Sequence, residues 1–122
     1  WLNFFDEAEM LSLEAMASVY LPEPGIAEHA AAIELLRAAI AKRSESMVRS
    51  RALDMASLSE ALLMRDELED GLAVGYDAVE LAEDLRSVQI TERLCRVRAA
   101  AAEHPSSEGR DLVERIDGYA HA

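Results

Sequence analysis

Aromatic residues are scarce in this chain: Trp, Tyr and Phe together make up 5% of it. A core built almost without rings has to be packed with Ala, Leu, Met and Val. With 51% of residues apolar there is enough of that material to exclude a disordered chain. Glycine (five) and proline (three) are equally sparse, so few positions break a helix. The dominance of Ala, Leu and Glu favours helix nearly throughout. Cysteine occurs once, at Cys95, so no internal disulfide can form, a usage that suits the reducing cytoplasm. No apolar run approaches the roughly 20 residues of a membrane span, and no signal peptide is visible. Positive charge is short as well. Twelve Lys and Arg face 24 Asp and Glu, a net charge of −12. Such a surface repels phosphates and anionic lipid headgroups, so this chain is expected to touch neither nucleic acid nor membrane. Its 122 residues suit a single domain with a modest core. Because it opens on Trp1 rather than Met, it is read as a piece of a longer protein or as a trimmed form of one.

The apolar spacing predicts six helices, over about 4–21, 26–42, 47–64, 67–85, 88–103 and 108–119. Asn3 is placed to cap the first, and the run Leu21-Pro22-Glu23-Pro24-Gly25 ends it. Ser87 is placed to cap the fifth, His104-Pro105 breaks it, and Gly118 is expected to terminate the sixth. No stretch sustains a two-residue alternation, so no sheet is expected. Short connections make successive helices antiparallel.

The second and fourth helices repeat one another. Ala32, Leu36, Ala39 and Ile40 correspond to Gly71, Gly75, Ala78 and Val79, each 39 residues on. In the first and third helices, Met16, Ala17 and Tyr20 correspond to Leu58, Ser59 and Leu62 at an offset of 42. A two-helix unit used twice is the mark of a helical repeat array, because one hairpin cannot bury its apolar face alone. The fold expected is all-α: antiparallel helical hairpins stacked side by side, with one unit over about 3–43, a second over about 46–85 and capping helices over about 87–121.

The unit resembles the tetratricopeptide repeat. Met16-Ala17 with Tyr20 has that family's large, small and aromatic spacing, and Ala32-Leu36-Ala39 has its small, bulky and small spacing. Gly75 departs from it, where a bulky residue is usual. A second resemblance covers nearly the whole chain. Arg49-Ser50-Arg51-Ala52-Leu53, Leu85-Arg86-Ser87 and the opening segment with Phe4-Phe5-Asp6-Glu7-Ala8 are similar to the C-terminal region of actinobacterial transcriptional regulators. In those regulators a small Xre-type helix-turn-helix domain precedes tetratricopeptide-like repeats. The resemblance implies a regulatory interaction domain whose DNA-binding part lies elsewhere.

Few residues suggest chemistry. Asp66, Asp70 and Gly71 match positions of a calcium loop, but Leu68 and Asp77 do not, and the segment reads as an acidic turn entering a helix. His29, His104 and His121 share no metal-ligand spacing. Cys95 lies near Arg93, Arg96 and Arg98 but lacks a histidine close in sequence, and reads as a helical cysteine rather than a nucleophile. No enzyme activity, metal or cofactor is therefore expected. Arg86, Arg93, Arg96 and Arg98 form the most basic segment, read as pairing with Glu92 and the acidic fourth helix or as a docking strip for an acidic partner. Gly71 and Gly75, on one helix face, read as a close helix crossing or as a notch for a ligand.

In a tetratricopeptide-like stack the first helix of each pair lines the concave face. By register Glu14, Ser18, Ala56, Glu60, Leu63, Met64, Glu92 and Arg96 are expected there. That mixture suits a basic or amphipathic peptide. Trp1, Phe4 and Phe5 would form an apolar patch covered by an upstream repeat or by a second copy in a homodimer. The function expected is a protein-, peptide- or small-signal-binding or oligomerisation domain of a transcriptional regulator. The alternative is a stand-alone helical adaptor unconnected with DNA.

Overall fold

A computed structural model describes residues 7–19, 26–42 and 47–121. It is all-helical, with six helices and no strand among the described residues: α1 (Glu7–Val19), α2 (Ile26–Lys42), α3 (Val48–Met64), α4 (Leu68–Ala82), α5 (Val88–Ala102) and α6 (Ser107–Ala120). Successive helices pack as hairpins, α1 on α2, α3 on α4 and α5 on α6, and α3 packs against α5 and α2 as well. The six predicted segments all appear; α4, α5 and α6 end within a few residues of the expected bounds, and the expected ends of the first helix, residues 4–6 and 20–21, lie outside the described residues. Asn3 and the 21–25 run lie outside the described residues.

The repeated positions are the packing positions. Ala32, Leu36 and Ala39 are buried, and so are their counterparts Gly71, Gly75 and Ala78. In the other half of the unit Leu58, Ser59 and Leu62 are buried, while the side chains of Met16 and Ala17, and Tyr20, lie outside the described residues.

Among the described residues the core falls into two apolar clusters. One joins Ala15 of α1 and Ala32, Ile33 and Leu36 of α2 to Leu58, Ala61 and Leu62 of α3. The other joins Ala52, Ala56 and Leu63 of α3 to the inner faces of α4, α5 and α6. α3 thus belongs to both clusters, and an unbroken run from Ala56 to Leu63 is buried. The glycines make this possible. A Cβ on Gly71 would stand 2.9 Å from Leu63 Cδ2 and 3.1 Å from the Leu63 backbone nitrogen. One on Gly75 would stand 2.8 Å from both Leu112 Cδ2 and Ser59 Oγ. Bare backbone on α4 lets α3 approach, and Ser59 Oγ seals the crossing by donating to the Gly71 carbonyl at 2.7 Å. Of the two readings of this glycine pair, the close crossing is the one observed: Leu63 and Leu112 already fill the notch.

The last carbonyls of a helix have no partner inside it, and here side chains from other elements supply one. Arg51 of α3 donates to the Ile40 carbonyl of α2 at 3.4 Å. Arg86, ahead of α5, donates to the Tyr119 carbonyl of α6 at 2.9 Å. His104, after α5, has Nε2 3.0 Å from the Leu63 carbonyl of α3. α3 also closes in a left-handed turn, with the Asp66 N–H on Leu63 O, the Glu67 N–H on Leu62 O and Asp66 itself at φ 62°.

Two terminal residues behave otherwise than expected. Ser87 sits at the start of α5 in an extended conformation but makes no side-chain cap. Its hydroxyl instead accepts from Arg49 at 3.1 Å. Gly118 does not end α6, which continues to Ala120. Buried Tyr119 explains this: its hydroxyl donates to the Leu85 carbonyl at 2.6 Å while Arg86 takes its carbonyl, so the last turn is pinned past the glycine. The side-chain cap of α6 is Ser106, which accepts from the Gly109 N–H at 2.9 Å.

Candidate interaction surfaces

The face assigned by register to the first helix of each hairpin is only partly open. Glu14, Met64, Glu92 and Arg96 are exposed as expected. Leu63 is not: it is 0% exposed, held against Gly71 of α4. Glu60 is 8% exposed and Ala56 1%. The expectation for these three is corrected, and the cause is the double membership of α3. A helix packed on α2, α4 and α5 together keeps no continuous open stripe. The side chain of Ser18, and the whole of Trp1, Phe4 and Phe5, lie outside the described residues.

What lines this face instead is a polar seam. Ser12 of α1 donates to Asp54 of α3 at 2.7 Å, both buried. Arg93 of α5 donates to Ser57 at 2.6 Å, and Arg96 lies 4.0 Å from Glu60. Burying carboxylates is costly unless they are hydrogen-bonded, so these contacts fix how α1 and α5 sit on α3. Met64 joins Asp66, Ala100, Glu103 and His104 around a shallow cleft at one end of the same face.

Among the described residues the arginine segment is held by contacts to α3 and α6, and no ion pair to Glu92 or to α4 is found there. Arg93 and Arg96 turn to α3, as above. Arg98 binds both Asp117 oxygens of α6, at 2.6 and 3.2 Å. That guanidinium holds the Asp117 carboxyl below its ordinary range, chiefly through the hydrogen bond. Arg86 stacks over the Tyr119 ring at 5.0 Å.

A surface that the helical register did not single out lies on the other side, between α4 and α6. The two run parallel, since Tyr76 meets Glu108 and Asp111 near one end and Leu85 meets Tyr119 at the other. One half of the valley is a cleft of about 440 Å³, floored by Leu68, Leu72, Ala73 and Tyr76 and edged by Glu69 and Glu108. The other half is lined by Val79, Glu80, Glu83, Arg86, Arg115, Gly118 and Tyr119. Tyr76 is fixed in place: its hydroxyl donates to Asp111 Oδ2 at 2.6 Å beside the Glu108 carbonyl, and Arg115 lies over its ring at 5.4 Å. Burial, then the Asp111 carboxylate, push the phenol up to about 12. The sequence did carry a signal for this floor, since residues 68, 72 and 76 recur every four positions. Read alone, that spacing says only that α4 is amphipathic.

The remaining candidates are dispersed. α4 starts at Leu68, so the stretch matched to a calcium loop is helical from its third residue on. Cys95 is exposed on the outer side of α5. His104 serves the end of α3, with Asp66 3.6 Å away, His121 is exposed just beyond α6, and the side chain of His29 lies outside the described residues. No helix among the described residues is long and apolar enough to cross a membrane. Compared with protein-family models, with curated proteins and with solved structures, the chain matches none of them.

Proposed function

We propose that this chain is a non-catalytic interaction domain of a transcriptional regulator, a short tetratricopeptide-like stack that takes a protein or peptide partner while DNA is bound by another part of the full-length protein. The observation that carries the reading is where the arginine segments behind the regulator resemblance lie. Arg49 donates to Ser87 and, at 3.3 Å, to Gln89, and Arg51 and Arg86 each take the last carbonyls of a neighbouring helix. These two short segments, distant in sequence, join one hairpin to the next. That is the role expected of residues shared by proteins with the same hairpin arrangement. The acidic balance supports the division of labour. With a net charge of −12 and arginines engaged within the fold, this part repels a phosphate backbone.

The test is chromatin immunoprecipitation of the full-length gene product in its own host, read beside that gene's complete sequence. Enrichment at defined promoter sites, with a basic helix-turn-helix ahead of this segment, is the expected result. A gene product without a DNA-binding domain and without promoter enrichment would sink the regulator assignment and favour the adaptor.

A further inference from the structure

We propose that the valley between α4 and α6 docks a basic amphipathic helix of a partner protein. The proposal rests on the reading of this chain as an interaction domain and is independent of any link to DNA. Three features specify the occupant. The floor is apolar and spaced for a helix: Leu68, Leu72 and Tyr76 follow one another at four-residue intervals, with small, exposed Ala73 leaving room above them. A furrow between two parallel helices accepts side chains projecting at i, i+4 and i+7 from a third helix, the helix-in-groove mode of recognition.

The rim then sets the sign of the partner. Glu69 and Glu108 flank the floor, and Glu80 and Glu83 continue the line along α4. Arg86 and Arg115 border that second half of the valley, over the Tyr119 and Tyr76 rings, and balance Glu80 and Glu83; the acidic excess is at the Leu68–Tyr76 floor, whose lining among the described residues holds Glu69 and Glu108 and no Lys or Arg. A partner with Lys or Arg flanking its apolar stripe is matched by this rim, whereas an acidic helix or a nucleic acid is repelled. A second copy of the chain is disfavoured on the same ground, because it would bring its own net charge of −12 to an acidic edge. Finally, the floor is organised before anything binds, since Asp111 and Arg115 already hold the Tyr76 ring.

The test is fluorescence anisotropy on the 122-residue chain with a labelled peptide of about four helical turns, Leu at i, i+4, i+7 and i+11 and Lys or Arg on the polar face. Saturable binding that weakens with added salt is expected. Ala73→Trp, which fills the valley from an exposed position, should weaken it at least tenfold with the helical signal and melting curve unchanged. Glu69→Lys with Glu108→Lys should do the same. Glu34→Lys with Glu114→Lys, an equal change of charge at exposed positions on α2 and on the α5-facing side of α6, should leave it within about twofold. Peptides with Leu replaced by Ser, or with Glu in place of the basic residues, should not bind. The proposal is overturned if the basic peptide fails to bind. It is equally overturned if both valley variants bind like the unaltered chain, if the two charge reversals weaken binding alike, or if the Ser or Glu peptides bind as well. Promoter enrichment of the full-length protein without valley docking would remove this proposal alone. Docking without promoter enrichment would remove the regulator assignment alone.

Discussion

Replacing glycine by alanine inside a helix ordinarily stabilises it by about 1 kcal/mol, because the unfolded chain loses freedom and the helix gains a favoured residue. The two glycines Gly71 and Gly118 should respond with opposite signs. Around Gly118, a built Cβ meets nothing within 4 Å, and α6 runs straight through the position. Gly118→Ala should therefore raise stability by about 0.5–1 kcal/mol. At Gly71 the same methyl would meet Leu63 Cδ2 at 2.9 Å and the Leu63 backbone nitrogen at 3.1 Å. The side chain can rotate only into a filled core, since Leu63 is 0% exposed, and the backbone cannot yield without moving α3. Such overpacking costs about 1–3 kcal/mol, enough to cancel the intrinsic gain of about 1 kcal/mol and leave a net loss of up to about 2 kcal/mol. The hydrogen bond from Ser59 to the Gly71 carbonyl should lengthen with the displacement. Urea denaturation followed by circular dichroism measures both variants. Adding Leu63→Ala to each provides a cycle in which coupling of about 0.5–3 kcal/mol should appear with Gly71→Ala and not with Gly118→Ala. If Gly71→Ala stabilises the protein as Gly118→Ala does, α3 and α4 do not cross at the distance described and the account of the core fails.

Asp66→Gly should raise stability by about 0.5 kcal/mol in the same denaturation assay, and Asp66→Ala should lower it by about 1 kcal/mol, because the residue closing α3 has a left-handed conformation (φ 62°) that glycine adopts freely. A fall with Asp66→Gly would mean that the carboxylate itself matters there. Of the three tyrosines, Tyr76 should ionise late in an ultraviolet titration, near pH 12. Because folding favours its protonated form, the linked stability is intact below pH about 10 and disappears as the pH rises through the folded value; Tyr76→Phe should remove that part of the alkaline loss. Asp117 has the opposite linkage. Its lowered value means that the Arg98 contact contributes above the ordinary carboxylate range, about pH 4, and is lost as acid protonates the folded carboxyl. Any stability gap between the unaltered chain and Asp117→Asn at neutral pH should therefore close on acidification and shrink in high salt. A gap that persists at low pH would refute the assignment.

Helix positions and hairpin pairing were legible because both are short-range: periodic apolar residues, caps and breakers act within a few turns. The repeated positions were legible too, since Ala32, Leu36 and Ala39 and the second set at Gly71, Gly75 and Ala78 mark where helices must touch. What the register could not convey is how many neighbours one helix has. Leu63 and Glu60 fall on an open face if α3 packs as one member of a regular stack. They are buried because α3 is also the meeting point of both clusters. The destinations of the arginines were hidden for a related reason. Charge opposite charge in sequence suggested Glu92 and α4, but Arg86 is satisfied by the Tyr119 carbonyl and Arg93 by the Ser57 hydroxyl, neutral acceptors that charge patterning cannot display. The valley between α4 and α6 joins residues far apart in the chain: Tyr76 and Asp111, which meet at its edge, are separated by 35 positions. Only the packing of the two helices brings them together.

The position of α3 also bears on how such a domain can be altered by duplication or loss. An ideal solenoid is modular: one unit can be deleted or copied while its neighbours keep their own folds, because each touches only the next. Here the helix in the middle is lined on one flank by Leu58, Ala61 and Leu62 and on the other by Ala52, Ala56 and Leu63. Removing either outer hairpin would strip a flank of the helix that the survivor depends on. A hairpin therefore cannot be taken away without exposing one of these two flanks, so loss of a unit is a change to α3 itself and not only to the segment removed.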